Sequence, residues 1–488
     1  MNLAERIEKL NPEQRQLLEL KLKQQGIDIM QIPISREYRE KYDPFPLSAE
    51  QAPWWTTDPI DPFDPRYDVT GPVSLEGNLD IERLEKCINE VSKRHEILRS
   101  VFVMNKDRLV QVILPALTLH LQRMDFKGLP ANEQEQRIKQ LREDNNLYAF
   151  DLARGPLVKI LVLELSESRY ILITVMHHII SDLLSLKIFL KEAAWYYITL
   201  SPGKPPGFDL PDLAFQYVDY ACWQQHWYRD SIPGLIAIKK QEKFWLEMFK
   251  GEIPVLNLPI DYPRPARKNY EGDHAFFLVK EEEIKALKKI FLKENATLYV
   301  LVLSILYVFL AKISGQEDIV VGTLINTRQN KALNDMIGLF VKKVPLRNYP
   351  RSSKTFGDFL TEVNQQVLDV YKNQDYPYEE LARKVVKEQD PGHTPMFDVL
   401  LNFIYIDISE VEMPGIKVKP YTLKTKRVGY DLELVCEGSY KELFFKLSYS
   451  TKLFKEETIR RFISYFRTII ASIIKNPGIK ISEIQIIP

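Results

Sequence analysis

From Asp80 onward the apolar residues Ile81, Leu84, Ile88, Val91 and Leu98 recur at steps of three or four, apart from one seven-residue gap. That spacing predicts a helix with one face turned inward, and Asp80 supplies a side-chain oxygen for its first unpaired amides. The period changes at Tyr170 to His178, a short stretch rich in β-branched residues that predicts a buried strand. Ser181 or Asp182 then caps another helix. Leu298 to Leu310, opening at Thr297, is apolar on every face and predicts a buried helix; it is shorter than the ~20 residues a bilayer span needs, and it contains Ser304. Ile319 to Ile325 and Leu443 to Tyr449 read as strands. Ile459, Phe462, Ile463, Phe466, Ile469, Ile470 and Ile473 form one stripe of a final amphipathic helix, which stops before Asn476-Pro477.

Breaks in these patterns suggest how the chain divides. Asn11-Pro12-Glu13 can start a leader helix running to Gly26, and Ile29 to Tyr42 then loses periodicity. Between Leu200 and Pro211, three prolines and two glycines mark a crossing between two lobes. The expected organisation is a leader or linker over residues 1–42, a first lobe over 43–205, a second over 206–475 and a linker over 476–488. Helices and strands alternate irregularly, so the class is α+β. A length of 488 residues exceeds what one core usually supports, which agrees with two lobes.

Charge narrows the partners. Lys plus Arg equals Asp plus Glu at 66 each, which removes a broad electrostatic case for nucleic acid or an anionic membrane. Cys87, Cys222 and Cys436 are widely spaced and suggest neither a disulfide framework nor a zinc site. The opening Met-Asn-Leu-Ala-Glu-Arg has early acids and no signal-like apolar run, so cytoplasmic residence is the expectation.

The candidate chemistry lies at the end of the strand predicted over 170–178. Side chains of adjacent strand residues point to opposite faces, so His177 and His178 diverge. His177 shares the more apolar face of Ile171, Ile173 and Val175; His178 is the better candidate for reaction. Asp182, where strand turns to helix, can accept backbone amides or pair with a basic residue and hold the turn rigid. A satisfied histidine pair beside an ordinary cap remains the plain alternative. No metal site is expected, because the two imidazoles diverge and no cysteine or third histidine lies nearby in sequence. His95, four residues beyond Val91, reads as a packed or capping histidine, and Tyr217, Trp223, Trp54 and Trp55 read as core or lobe-contact aromatics.

Met176-His177-His178-Ile179-Ile180-Ser181-Asp182-Leu183-Leu184-Ser185 resembles the HHxxxDG motif of nonribosomal peptide synthetase condensation domains, a motif shared in part with epimerization domains and chloramphenicol-acetyltransferase-like acyltransferases. Leu47-Ser48-Ala49-Glu50-Gln51 and Arg94-His95-Glu96-Ile97-Leu98-Arg99 are similar to the motifs that precede it. Tyr217 to Trp223, Ile337-Gly338-Leu339-Phe340-Val341 and Asn373 to Glu379 are similar to those that follow, in order, and the likeness extends from residue 47 to Ile484. Departures are Leu183 in place of the usual glycine, Lys342-Lys343 in place of Asn-Thr, and His393-Thr394-Pro395-Met396 in place of an Arg-Asn-Pro-Leu pattern.

The resemblance implies two chloramphenicol-acetyltransferase-like lobes in a V-shaped pseudo-dimer, with the HH motif at the floor of the tunnel between them. It implies amide formation between a carrier-bound acyl or peptidyl thioester and a carrier-bound aminoacyl thioester, with no metal and no directly bound cofactor. The substrates would ride on the phosphopantetheine arms of donor and acceptor carrier proteins, and an adenylation domain would lie alongside. His178, with His177 and Asp182, would form the site; Arg328 would support Asp182; Leu183, Ser185, Gly338 and Lys342 would lie near the substrates. His178 could position the amine or take its proton. Two other readings stay open: a silent or specialised module that recruits a carrier or tailoring enzyme, and a related HHxxxD acyltransferase using coenzyme A thioesters.

Overall fold

The computed structural model describes residues 34–55, 68–143, 149–200, 210–328, 330–388, 390–404, 415–421, 426–438 and 442–487, with isolated positions 14, 21 and 413. The expected leader helix from Asn11 to Gly26 falls almost wholly outside the described residues, as does the crossing at Pro202 to Pro206.

The chain forms two compact units that take turns along the sequence. The first comprises Met1–Ala237, Asn326–Val341 and Asp407–Lys424; the second comprises Ile238–Ile325, Lys342–Ile406 and Thr425–Pro488. Residues 210–237 therefore belong with the first unit, where the expected division at 205/206 put them in the second. The physical reason is the helix Tyr217–Gln225, whose Tyr217 and Tyr220 are buried in the first unit's main core.

That unit is built on a five-stranded sheet in the order Ile416–Pro420, Asp68–Gly77, Arg169–His177, Val158–Ser166, Leu121–Asp125. Every neighbouring pair is antiparallel except the last. The strand Arg169–His177 is covered on both faces, which is why it reads as a nearly unbroken apolar run. Leu172 and Met176 enter the main core, whereas Ile171, Ile173 and Val175 join Ile138 of the helix Ala131–Glu143 in a second cluster. Two packed helices, Ile81–Arg94 and Leu183–Thr199, cover the main face. Gly71 lets the latter sit directly on the sheet, since a Cβ there would lie 2.3 Å from Leu186 Cδ2.

Asp80 caps Ile81–Arg94 by accepting the Arg83 amide at 2.9 Å. The helix stops at Arg94, four residues short of Leu98, which is buried in the 3₁₀ turn Glu96–Arg99 instead. His95 supplies the break: its backbone is extended, and its N–H closes the helix on the Val91 carbonyl.

The second unit carries a six-stranded sheet ordered Gly272–Val279, Leu443–Ser450, Leu432–Gly438, Val399–Ile404, Ile319–Asn326, Val341–Asn348. The helix Leu298–Ser314 is buried over its first thirteen residues except at Tyr299, and Thr297 caps it as expected. Ile459, Phe462, Phe466, Ile469, Ile470 and Ile473 of Glu456–Lys475 pack into the same core. Among the described residues no single helix is long and apolar enough to cross a membrane.

Candidate active site

The strand Arg169–His177 ends one residue earlier than expected, and His178 opens a 3₁₀ turn, His178–Ile180, so strand alternation decides only where His177 points. His177 is buried on the side of Ile171, Ile173 and Val175, edge-on to the Phe150 ring at 5.8 Å. Its Nδ1 accepts the Ile179 amide at 3.1 Å. Burial, and then the neighbouring His178, depress its pKa to about 3, so this imidazole is neutral at ordinary pH. It shapes the turn and does not titrate in the working range.

His178 is half-buried. Its Nδ1 lies 3.0 Å from the Ser181 carbonyl, and a carbonyl can only accept, so the proton resides on Nδ1 and the lone pair on Nε2. The imidazole also stacks on the Trp54 indole, with centroids 4.6 Å apart and planes 23° apart.

Asp182 caps Leu183–Thr199 by accepting the Ser185 amide at 2.7 Å. Its second oxygen accepts the Phe340 amide at 3.1 Å and Arg328 Nη1 at 2.5 Å, while Arg328 Nη2 reaches Oδ1 at 3.2 Å. Both side chains are 1% exposed. Burial pushes the Asp182 carboxyl up, but the Arg328 charge and the hydrogen bonds from Arg328 and Ser185 outweigh it and hold the group below the usual carboxylate range. Arg328 has further acceptors in the carbonyls of Leu333, at 3.2 Å, and Met336, at 3.1 Å. Its guanidinium also lies over the Phe340 ring at 4.2 Å.

Ser185 extends this web. Its hydroxyl is 2.7 Å from both Asp182 Oδ1 and the Gly338 carbonyl, and it accepts from Gly338 N–H and Arg328 Nη2 at 3.0 Å each. Glycine is required at 338 because a Cβ would lie 1.9 Å from Tyr217 Cδ2. Tyr217 is fully buried; its hydroxyl donates to the Leu339 carbonyl at 2.6 Å and lies 2.8 Å from Ser48 Oγ. Gln51, also fully buried, donates to the Ile179 carbonyl at 2.9 Å and so hooks the segment 48–54 onto the histidine turn.

Of the residues singled out from sequence, His177, His178, Asp182, Ser185, Arg328 and Gly338 all lie in the first unit, whereas Lys342 belongs to the second. Leu183 is the first helical residue, half-buried against the first unit's core, and its backbone is not in the left-handed region where a glycine would be needed. His95 is buried between Glu192, 2.9 Å from Nε2, and the Ile337 amide, 3.4 Å from Nδ1, in keeping with a packed, capping histidine. Trp54, Gln51 and Tyr217, which the sequence marks only as packing aromatics or parts of family-like segments, contribute to the site as well. Only the tertiary approach of distant segments reveals them. The divergent segment His393-Thr394-Pro395-Met396 takes part in a clamp in the second unit, with His393 Nδ1 2.5 Å from Asp398 and Arg264 paired with Asp431.

The family model described as "Condensation domain" matches residues 41–488. The chain belongs to this family. Gramicidin S synthase 2 of Brevibacillus brevis is 34% identical over 447 residues, 91% of this chain and 10% of that protein. Surfactin synthase subunit 1 of Bacillus subtilis is 32% identical over 448 residues, 92% of this chain and 12% of that protein. This condensation domain thus spans about a tenth of the curated relatives it matches. Among solved structures, a four-domain nonribosomal peptide synthetase bound to AMP and glycine superposes with a TM-score of 0.80 at 22% identity, covering 91% of this chain and 34% of that one. The X-domain in complex with OxyB from teicoplanin biosynthesis gives 0.79 at 22% identity, covering 92% and 97%. These likenesses establish the two-lobed α+β fold of the family for this condensation domain.

Proposed function

We propose that this condensation domain forms an amide bond between an acyl or peptidyl thioester on one carrier protein and an aminoacyl thioester on another, with His178 as the reacting imidazole. The observation that carries this reading is the tautomer of His178: Nδ1–H is committed to the Ser181 carbonyl, which leaves Nε2 basic. The turn that presents it is held from the strand by the His177 Nδ1 bond, from the helix by the Asp182 cap, and from Gln51 by its bond to Ile179. Such bracing is what a proton acceptor within hydrogen-bond reach of a substrate needs.

In the proposed reaction the acceptor amine attacks the thioester carbonyl, the new C–N bond forms, and the C–S bond breaks to release the donor phosphopantetheine thiol. The amine proton passes to Nε2 and from there to the departing thiolate, so the imidazole ends neutral. An α-amine has a pKa of ~8, so part of it is neutral near pH 7 and no strong base is needed. Most of the rate then comes from bringing two tethered groups together, and Nε2 orients the amine as well as taking its proton. Phosphopantetheine belongs to the carriers, and an adjacent adenylation domain would load the acceptor.

The test is product formation from two loaded carrier proteins by wild type and His178→Ala. The expected outcome is robust product from wild type and a loss of roughly 10²–10⁴-fold in the variant. Equal rates, or no product from either, would sink the proposal in favour of a recruiting module. Transfer from free coenzyme A thioesters without any carrier would favour the acyltransferase reading.

A further inference from the structure

Nothing in the reaction just described uses Trp54, yet its indole lies flat against the imidazole of His178. We propose that Trp54 is a positioning residue for His178, fixing the ring plane and favouring the proton-bearing form that arises as the amine attacks; this rests on the amide-forming reading of the site.

Three observations carry it. First, the stack is face to face at 4.6 Å and 23°, the geometry that places the electron-rich face of an indole against a ring that becomes cationic. Second, the indole is anchored to the same turn it covers. Trp54 ends the 3₁₀ turn Ala52–Trp54, its N–H bonds the Gln51 carbonyl at 3.0 Å, and the Gln51 side chain bonds Ile179, next to His178. Third, the same ring is held in plane by the Nδ1 bond to Ser181 and in tilt by the indole, so the two contacts together define its orientation.

The other ionisable groups on the described elements around the ring are committed elsewhere. His177 accepts from Ile179, Asp182 is paired with Arg328, and Glu50, ahead of Trp54, is held by Gln224 and Tyr220. The indole face is the aromatic surface that the imidazole stacks on.

Leucine at 54 would preserve an apolar cover and remove the π face, whereas phenylalanine would keep a weaker one. The experiment follows the His178 resonances of isotopically labelled protein through a pH titration, assigned with His178→Ala, and in parallel the kcat and KM of amide formation from loaded carriers across pH. Trp54→Leu is expected to lower the His178 titration midpoint by about half a pH unit and reduce kcat several-fold with little change in KM. Trp54→Phe should fall between the two and restore most of the rate. An unchanged midpoint in Trp54→Leu overturns the inference whatever the rates do. Should Trp54→Leu fail to fold, a midpoint in Trp54→Phe equal to wild type overturns it instead. Because the titration needs no turnover, a shifted midpoint in a protein that makes no amide would preserve this inference and discard the reaction proposed above.

Discussion

Replacing Arg328 by alanine would remove the cation paired with Asp182, a carboxylate that is itself 1% exposed. Asp182 would keep the Ser185 and Phe340 amides but lose both guanidinium contacts, and the Leu333 and Met336 carbonyls would lose the guanidinium as a donor. Breaking a buried pair from one side typically costs about 3–5 kcal/mol, because a desolvated charge is stranded. Arg328→Ala is therefore expected to lower stability by about that amount in urea titrations followed by tryptophan fluorescence. Since Asp182 now titrates below the usual carboxylate value, wild type holds this contribution above about pH 4 and loses it as pH falls further. In the variant, burial without the cation raises the folded pKa, so the gap between the two proteins should narrow as pH drops from 7 to 4. Asp182→Asn combined with Arg328→Met removes both charges, and the double variant should lose less than the two single losses added together, by about 2 kcal/mol. Additivity within about 0.5 kcal/mol, or an Arg328→Ala loss that does not shrink in acid, would refute the electrostatic argument.

Two further outcomes follow from the same web. His177 is neutral in the folded chain with a pKa near 3 against an ordinary 6.5, so the unfolded state binds the extra proton; wild type should lose stability between about pH 6.5 and 3 more steeply than His177→Gln, and parallel pH profiles would contradict the buried neutral ring. Gly338→Ala must force Tyr217 from a fully buried position and should cost about 1–3 kcal/mol by thermal melting, whereas Gly128→Ala, with nothing within 4 Å of the added carbon, should be neutral; equal shifts would show that the close approach at 338 is unimportant.

Much of the site was legible because its local part is contiguous. The strand ending in two histidines, the divergence of their side chains and the Asp182 cap all follow from periods and propensities acting over about ten residues. Arg328 could be named only through family likeness, since no spacing rule links positions 146 apart. The Trp54 stack and the Gln51 hook were invisible for a related reason: a side chain that bonds a carbonyl 128 positions away leaves no periodic trace. The apolar step to Leu98 continues the helical period across a gap in which His95 turns the backbone out of the helix, so periodicity alone overstates the helix from Asp80. In the sheet, Ile416–Pro420 is five residues long and carries two lysines, too short and too polar to register as a strand, yet it pairs with Asp68–Gly77 through five positions.

That late strand orders events during synthesis. A nascent chain that has emerged only through residue 400 already holds the histidine turn and Arg328, but the first sheet still ends at an open Asp68–Gly77 edge. Its closing partner arrives only after four of the other sheet's six strands have been made, so a cut placed at the apparent midpoint of the sequence would leave the first sheet without that edge strand.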